Sequence, residues 1–301
     1  MRIIGVDIGG TSLRIGLIDE SGGLYAFEKV AQETVFFGDS IDALRRFVDE
    51  YISRHDMKGK IAGLAIALPG TLDKDKSVVL NLPNVAGFNE KPLKAILEKY
   101  FSFPVYLMKD VSALYNYDVK RFKLKEEGVI IGCYVGTGLG NAISIDGKML
   151  EGSNGSAGEL GHIPVWGADA KCGCGNIGCS EVVAAGVALS RIQQEQFPDI
   201  PISRLFAEQA EHPVLCEFVR ILAAVISSEI NILDPHTVIL GGGVITMEGF
   251  PKSLLEERIR FHARKPQPEK NLQFIYSDNP GENGVIGAGV YAWKVLNGGI
   301  L

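Results

Sequence analysis

The sequence predicts an α/β protein with two lobes, because apolar strands alternate with amphipathic helices and a glycine-rich hairpin occurs once in each half of the chain. Strands that alternate with helices are typical of a largely parallel or mixed sheet. The 301 residues, 46% of them hydrophobic, are enough for two packed cores. We expect an N-terminal lobe over residues 1–115, a larger C-terminal lobe over 116–283, and a last helix at 284–301 that packs back on the first lobe.

The N-terminal lobe begins with three predicted strands that are separated by glycine turns. Apolar residues then recur at spacings of three and four, which predicts an amphipathic helix capped near Ser40. A continuous apolar run that ends at Pro69-Gly70 has the pattern of a strand covered on both faces. The predicted strands are residues 2–8, 13–19, 24–31, 61–68 and 104–108, and the predicted helices are residues 41–52 and 91–100.

The C-terminal lobe opens with a second hairpin, at residues 128–150, that resembles the first. Each hairpin contains a Gly/Thr turn, then an apolar strand, then an Asp and a second glycine turn. No low-complexity linker separates the halves, so we expect a hinge near residues 110–120. The later predicted elements are helices at 182–194 and 213–233, a strand at 237–240, and a final helix at 284–296 that packs through small residues.

The net charge of −6 excludes an overall basic surface that would attract phosphate backbones. We therefore expect no nonspecific binding of nucleic acid, and any bound anion must be held by local geometry. The first ten residues lack a cleavage pattern, and the longest apolar run, residues 61–70, is too short to cross a bilayer. These observations predict a cytoplasmic protein without a membrane partner.

Two glycine hairpins and one glycine-rich strand end suit a nucleotide whose phosphates lie against backbone N–H groups. A single hairpin of this kind is more often an ordinary tight turn, but the matched pair together with the strand end favours phosphate binding. The chain has no Walker lysine, so Mg²⁺ would have to balance the phosphate charge, with Asp7 orienting its water shell. The predicted phosphate segments are Gly9-Gly10-Thr11, Gly136-Thr137-Gly138 and Gly241-Gly242-Gly243.

Three of the five cysteines fall within eight residues, and the first of them follows His162 by ten residues. With His162, the thiolates of Cys172, Cys174 and Cys179 form the ligand set of a closed, structural zinc site. The alternative is a redox thiol cluster, which the absence of a CxxC motif disfavours. The other two cysteines, Cys133 and Cys216, lie in apolar stretches and are predicted to be core residues.

Several polar residues near these motifs could bind the hydroxyl groups of a sugar. Glu159 precedes His162 by three residues, so a helical segment would place both on one face, and His162 could bind zinc through one ring nitrogen and a hydroxyl through the other. Asp110 ends a predicted buried strand and, taken alone, is better explained as a helix N-cap. In company with Glu159, His162 and Glu181, it favours a sugar site in which one carboxylate is the general base for phosphoryl transfer.

Four motifs resemble, in order, the signatures of the ROK family of sugar kinases and repressors. They are DIGGT (7–11) with Arg14, GTGLG (136–140), AGELGH (157–162) and CGCGNIGCSE (172–181). The resemblance covers essentially the whole chain. It implies the actin-like ATPase (ribonuclease H-like) fold, with ATP and sugar in a cleft between two α/β lobes, and transfer of the γ-phosphoryl group to a hexose hydroxyl. It also implies a homodimer or homotetramer.

The resemblance further implies a role for each matching residue. Asp110 matches the catalytic base. The expected sugar-binding residues are Asn84, Lys109, Asp110, Glu159, His162 and Glu181. The expected ligands of structural zinc are His162, Cys172, Cys174 and Cys179. The expected contacts of MgATP are Asp7, Gly9, Gly10, Thr11, Arg14, Gly136, Thr137, Gly138, Gly241, Gly242 and Gly243.

The residue before the base departs from the family pattern. Hexokinases and glucokinases of this family usually have Asn there, whereas this chain has Lys109. A long cation beside the base would alter the contacts at the 3- and 4-hydroxyls, where a mispaired buried hydroxyl costs about 1–3 kcal/mol. Together with the segments at residues 81–84, 163–164, 232–235 and 241–244, Lys109 makes the chain resemble the D-allose kinases of the family. This resemblance implies D-allose as the substrate, which differs from glucose in the orientation of its 3-hydroxyl.

Other functions of the same family stay open. They are glucokinase, fructokinase and N-acetylmannosamine kinase activity, and a sugar-sensing regulator without catalysis. Regulators of the family carry a helix-turn-helix before the first hairpin, whereas here the hairpin begins at residue 7, so we expect that domain to be absent and an enzyme to be favoured.

Overall fold

Two α/β units make up the chain in the computed structural model, which describes residues 1–36, 39–83, 85–278 and 280–299. The first unit comprises Met1–Lys125, Lys148–Ala157 and Pro280–Leu301, and the second comprises Glu126–Gly147 and Gly158–Asn279. Each unit has its own sheet and its own apolar core. The lobe limits expected at 115/116 and 283/284 stay predictions.

The elements are named here in chain order. The strands are β1 (Arg2–Ile8), β2 (Ser12–Ile18), β3 (Leu24–Ala31), β4 (Ile61–Leu68), β5 (Thr71–Leu72), β6 (Val79–Asn81), β7 (Val105–Lys109), β8 (Val129–Val135), β9 (Leu139–Ile145), β10 (Lys148–Met149), β11 (Thr237–Gly241) and β12 (Gln273–Tyr276). The α-helices are α1 (Ser40–Arg54), α2 (Leu93–Tyr100), α3 (Asp110–Arg121), α4 (Glu181–Ala184), α5 (Gly186–Gln196), α6 (Leu205–Gln209), α7 (Pro213–Leu233), α8 (Lys252–His262) and α9 (Asn283–Leu296).

The sheet of the first unit has the strand order β3-β2-β1-β4-β7. Strands β1, β2 and β3 are antiparallel neighbours, whereas β4 pairs in parallel with both β1 and β7, so the sheet is mixed, as the sequence predicts. Most of β4 is buried, which agrees with its continuous apolar run. The parallel pairing brings the carboxyl ends of β1, β4 and β7 to one edge of the sheet.

Helix α9 packs against β1 and against α3. Gly287 makes the close approach to α3 possible, because a methyl group on this residue would collide with the carbonyl group of Ala113. The small residues of this helix therefore serve packing, as the sequence predicts. Residues 110–120, where we expect a hinge, lie in helix α3, and the chain leaves the first unit after Lys125.

The second unit is built around the hairpin of β8 and β9. Its strands lie in the order β9-β8-β11-β12, and β11 pairs in parallel with both β8 and β12. The short strand β10 follows β9 along the chain. Helix α7 begins with Pro213 in its first turn and ends at Leu233, and its C-cap residue Asp234 has the left-handed conformation (φ 49°), so its bounds match the prediction.

The structure refines one local expectation, the cap near Ser40, and corrects another. The cap of α1 is Asp39, whose carboxylate accepts hydrogen bonds from the backbone N–H groups of Ile41 and Asp42, and Ser40 is already helical. The helix predicted at 182–194 is two helices, α4 and α5, because Ala185 between them is extended (φ −123°, ψ −175°). Among the described residues, no helix combines the length and the apolar character needed to span a bilayer.

Candidate functional site

The turn between β1 and β2 forms the first predicted phosphate segment. The backbone N–H of Gly9 donates to the carbonyl oxygen of Ser12 at 2.9 Å, which closes the turn and leaves Gly10 and Thr11 exposed. Asp7 and Arg14 face each other across the two strands, and Arg14 Nη1 donates to Asp7 Oδ2 at 2.8 Å. The turn thus presents glycine backbone and a hydroxyl to solvent beside a fixed ion pair.

Asp110 is the first residue of α3 and follows directly on β7. The N-cap position belongs to Lys109, so the alternative interpretation of Asp110 as a helix cap is wrong. Its Oδ1 accepts a hydrogen bond from the backbone N–H of Val111 at 2.8 Å. Because β7, β4 and β1 are parallel neighbours, Asp110 and Asp7 lie at the same edge of the sheet.

Burial sets the protonation behaviour of this carboxyl pair. Loss of hydration, and after it the nearby charge of Asp7, raise the pKa of Asp110 to about 7 against the opposing effects of the Val111 N–H and Lys109. Burial also raises the pKa of Asp7, although Arg14 opposes the shift. A carboxylate that titrates near neutral pH is suited to general base catalysis.

Helix α9 adds a neighbour of Asp7 that the sequence did not indicate. A methyl group on Gly284, in the first turn of α9, would lie 2.7 Å from the carboxylate of Asp7. The glycine therefore lets the helix start beside the first phosphate turn. A separation of more than 270 residues along the chain carries no local pattern, so only the structure could reveal this contact.

The turn between β8 and β9 forms the second predicted phosphate segment. The backbone N–H of Gly136 donates to the Gly138 oxygen at 2.9 Å, and Thr137 is exposed. Glu181, at the start of α4, contacts this turn, because its Oε2 accepts a hydrogen bond from the backbone N–H of Leu139 at 3.1 Å. The structure therefore places this expected sugar ligand against the second predicted phosphate segment.

The third predicted phosphate segment lies beside the second. Gly241 pairs with Tyr134 in the parallel ladder of β11 and β8, and the Val244 N–H donates to the Val135 oxygen at 2.9 Å. Gly242 has φ +92°, a conformation that favours glycine. The segment at residues 241–243 and the turn at 136–138 thus form one glycine-rich edge of the second unit.

The predicted metal ligands form one cluster in the second unit. Each of His162, Cys172, Cys174 and Cys179 offers a ligand atom, and these atoms all lie within 4.8 Å of one another. Cys174 Sγ lies 3.7 Å from Cys179 Sγ, and Cys172 Sγ lies 3.6 Å from His162 Nδ1. A tetrahedral ion with metal–sulfur bonds of about 2.3 Å holds its sulfur ligands about 3.8 Å apart, so the cluster fits such an ion.

The two ring nitrogens of His162 face different groups. Nδ1 faces the thiols, whereas Nε2 lies 3.9 Å from Glu159 Oε2. The segment from Leu160 to His162 is a single 3-10 turn, in which residues three apart lie above one another, so the predicted proximity of Glu159 and His162 is confirmed. A metal bound at Nδ1 would leave Nε2 of His162 for contact with a hydroxyl group, beside the exposed Glu159.

Two expected sugar-binding residues remain. Lys109 is half-buried at the N-cap of α3, adjacent to Asp110. Asn84 lies outside the described residues.

Comparisons with known proteins show the family of this chain. The family model described as "ROK family" matches residues 3–294. The chain belongs to the ROK family.

Three relatives illustrate the match. The glucokinase of Thermotoga maritima is 28% identical over 264 residues, which cover 81% of this chain and 82% of that protein. An N-acetyl-D-glucosamine kinase of Vibrio atlanticus is 31% identical over 262 residues, which cover 81% of this chain and 85% of the relative. The structure of a ROK family glucokinase from Streptomyces griseus, in complex with glucose and AMPPNP, is 28% identical, with a TM-score of 0.76 and coverage of 96% of this chain and 98% of that one. The predicted actin-like ATPase fold is thereby confirmed.

Replacement of Asp110 should reveal the cost of its burial. The raised pKa means that the folded protein holds a proton that the unfolded chain gives up near pH 4, so the free energy of unfolding should fall as the pH rises from about 4 to about 7. The Asp110→Asn variant has no ionisable carboxyl at this position, so its free energy of unfolding should not fall in this way. We expect the variant to be more stable than the wild type by roughly 1–4 kcal/mol at pH 8, and by less at pH 5, in urea denaturation.

The matched control is Asp75→Asn, at an exposed position of the same unit, which should leave stability unchanged at both pH values. A stability difference between the wild type and Asp110→Asn that is the same at pH 5 and pH 8 would contradict the assignment of the raised pKa to Asp110.

Proposed function

We propose that this protein is an ATP-dependent sugar kinase that transfers the γ-phosphoryl group of MgATP to the 6-hydroxyl of a hexose. The observation that carries the proposal is Asp110, a carboxylate with a pKa of about 7 at the sheet edge that also holds Asp7 and the first phosphate turn. As general base, Asp110 accepts the proton of the attacking hydroxyl as the oxygen bonds to the γ-phosphorus and the bond from that phosphorus to the β–γ bridging oxygen breaks, which releases ADP. Membership of the ROK family and the kinase names of the relatives support the same activity.

The glycine turns are suited to hold the nucleotide. We assign the phosphates to the turns at residues 9–11 and 136–138 and to the strand end at 241–243, where backbone N–H groups and two threonine hydroxyls can donate. Mg²⁺ would neutralise phosphate charge, and Asp7 is the carboxylate suited to orient its water shell. Arg14 keeps the Asp7 carboxylate in place through their ion pair.

Asp110 should be required for the chemical step. We expect kcat/KM of the wild type to fall tenfold per pH unit below about pH 7, because only the ionised carboxylate accepts the proton. Asp110→Asn should lower kcat by about 100-fold or more at every pH while sugar binding stays nearly intact. Coupled ADP detection measures turnover, and calorimetry measures binding.

The exposed Asp75→Asn should behave as the wild type in this assay. Near-normal turnover of Asp110→Asn would contradict the role of Asp110. Sugar binding by a wild type that turns over no ATP would instead support a sugar-sensing regulator.

Within this class we propose D-allose as the preferred substrate. The support is Lys109, which lies beside the proposed base where hexokinases and glucokinases of the family usually carry Asn. The relatives described above are named for glucose and N-acetyl-D-glucosamine, so these two sugars are the principal competitors. Fructose and N-acetylmannosamine complete the set of candidate substrates.

The substrate is decided by kcat/KM across this panel. We expect the highest value for allose, and we expect Lys109→Asn to shift the ratio of allose to glucose by about tenfold towards glucose, which corresponds to about 1.4 kcal/mol. Lys74→Asn, at an exposed position, is the matched control and should leave the ratio unchanged. A wild type that prefers glucose or N-acetyl-D-glucosamine would contradict the allose assignment but not the kinase assignment.

We propose that the cluster of His162, Cys172, Cys174 and Cys179 holds one structural zinc ion. Four ligands complete a tetrahedral set, so no position is left for substrate. A hydrogen bond from the backbone of Asn176 lowers the pKa of the Cys174 thiol, whereas burial and the neighbouring thiols raise the pKa of the Cys179 thiol to about 12. A bound cation would favour the thiolate of both. With Nδ1 of His162 bound, the ring holds Nε2 beside Glu159 for contact with sugar hydroxyls.

Metal analysis tests this site. We expect about one equivalent of zinc in protein purified without chelators, and we expect Cys174→Ser to lose the zinc and to raise the KM for the sugar by about tenfold or more. Cys216→Ser is the matched control, since its thiol donates to the Ala210 carbonyl at 3.6 Å and lies outside the cluster, and it should keep the zinc. A zinc content well below one equivalent in the wild type would contradict the assignment.

A further inference from the structure

A buried carboxylate in the second unit has no role in the chemistry described above. Glu229 lies within α7, is 7% exposed and is packed in the apolar core of this unit. Loss of hydration raises the pKa of Glu229 to about 7, and its two hydrogen bonds oppose only part of this shift. An apolar residue would fill the same space without the cost of burying a carboxylate.

Both hydrogen-bond partners of Glu229 belong to the β8–β9 hairpin. Asn141 Nδ2 donates to one carboxylate oxygen, and Cys133 Sγ donates to the other at 3.7 Å. Cys133 and Asn141 are paired in the antiparallel ladder and lie on either side of the turn that contains Thr137. Glu229 therefore ties α7 to both strands that carry the second phosphate turn.

Asn141 in turn contacts the segment that carries Glu159 and His162. Asn141 is 4% exposed, and within the described part of the chain its Oδ1 has no hydrogen-bond partner. Gly158 lies so close that a methyl group there would come 2.9 Å from Asn141 Oδ1, and its φ of +81° suits glycine. Further along the same segment, Gly161 packs on the carbonyl group of Leu139, so two glycines seat the segment on β9.

We propose that Glu229 is a positioning residue that acts through Asn141. By holding the Asn141 side chain, it fixes the β8–β9 turn and the segment at residues 158–162 in one arrangement. That arrangement keeps Glu159 and Nε2 of His162 directed at the sugar. The kinetic part of this inference rests on the proposed kinase function, whereas the positioning itself does not.

Hydrogen exchange tests the positioning without any ligand. Glu229→Met keeps the side-chain volume but removes the carboxylate, so Asn141 loses its partner. We expect amide exchange to become about tenfold faster or more in peptides that cover residues 136–141 and 158–162, and to stay unchanged in α8.

The matched control is Ser227→Ala on the same helix. Ser227 is 1% exposed, and its hydroxyl lies within hydrogen-bond distance of the carbonyl oxygens of Ala223 and Ile259. The substitution therefore perturbs α7 on a side other than that of Glu229. This variant should leave both peptides as in the wild type. Unchanged exchange in Glu229→Met, or a uniform increase that includes α8, would overturn the proposal.

Kinetics then separates positioning from a merely structural role. Glu229→Met should raise the KM for the sugar by about tenfold while kcat stays within about threefold of the wild type. Glu229→Gln keeps the shape and an acceptor for Asn141, and it should restore most of the affinity. Asn141→Ala should reproduce the defect, and Glu229→Met should add little to it in a double-mutant cycle.

If the effects of Glu229→Met and Asn141→Ala on the KM were fully additive, or if only kcat fell, the proposal that Glu229 acts through Asn141 would be wrong. A wild type that phosphorylates no sugar of the panel would refute the proposed function, and the exchange experiment would still decide the role of Glu229.

Discussion

In each unit, a strand of the glycine hairpin pairs in parallel with a neighbouring strand. This parallel pairing decides which of the candidate functional residues lie together. In the first unit, β4 pairs in parallel with β1 and β7, which brings Asp7 and Asp110 to one sheet edge. In the second unit, β8 pairs in parallel with β11, which brings the turn at residues 136–138 and the glycines at 241–243 to one edge. Ligands bind at the carboxyl ends of strands in open α/β sheets. Each unit therefore has these residues at the sheet edge where ligands usually bind.

Loss of hydration raises the pKa of two carboxyl groups in this protein, but the two groups are suited to different roles. The pKa of both Asp110 and Glu229 is raised to about 7 by burial. Asp110 stands beside a second carboxylate and an exposed turn, which suits a group that exchanges protons with a substrate. Glu229 is enclosed by the core and bonded to a thiol and an amide, which suits a group that holds its neighbours in place.

The sequence predicted most elements well because their apolar patterns are local. The bounds of β1, β3, β4 and α7 match the prediction. Of these, β1 and β4 are apolar runs that end next to Gly9 and Pro69. The break between α4 and α5 was missed because Ala185 is a good helix former. Its extended conformation accompanies hydrogen bonds from the backbone N–H groups of Gly186 and Val187 to the oxygens of Gly136 and Thr137 in the β8–β9 turn. Tertiary contacts override propensity at such a position.

The sequence by itself determined the features that depend on short spacing: the two glycine turns, the Cys₃His ligand set, and the pairing of Glu159 with His162. Most of these residues are close together because only a few residues of a tightly turning chain separate them. Only the tertiary structure decided which distant residues lie together, such as Asp7 with Asp110, Glu181 with the second turn, and Glu229 with Asn141. Such pairs arise from strand order and helix packing, which bring together residues that no local pattern connects.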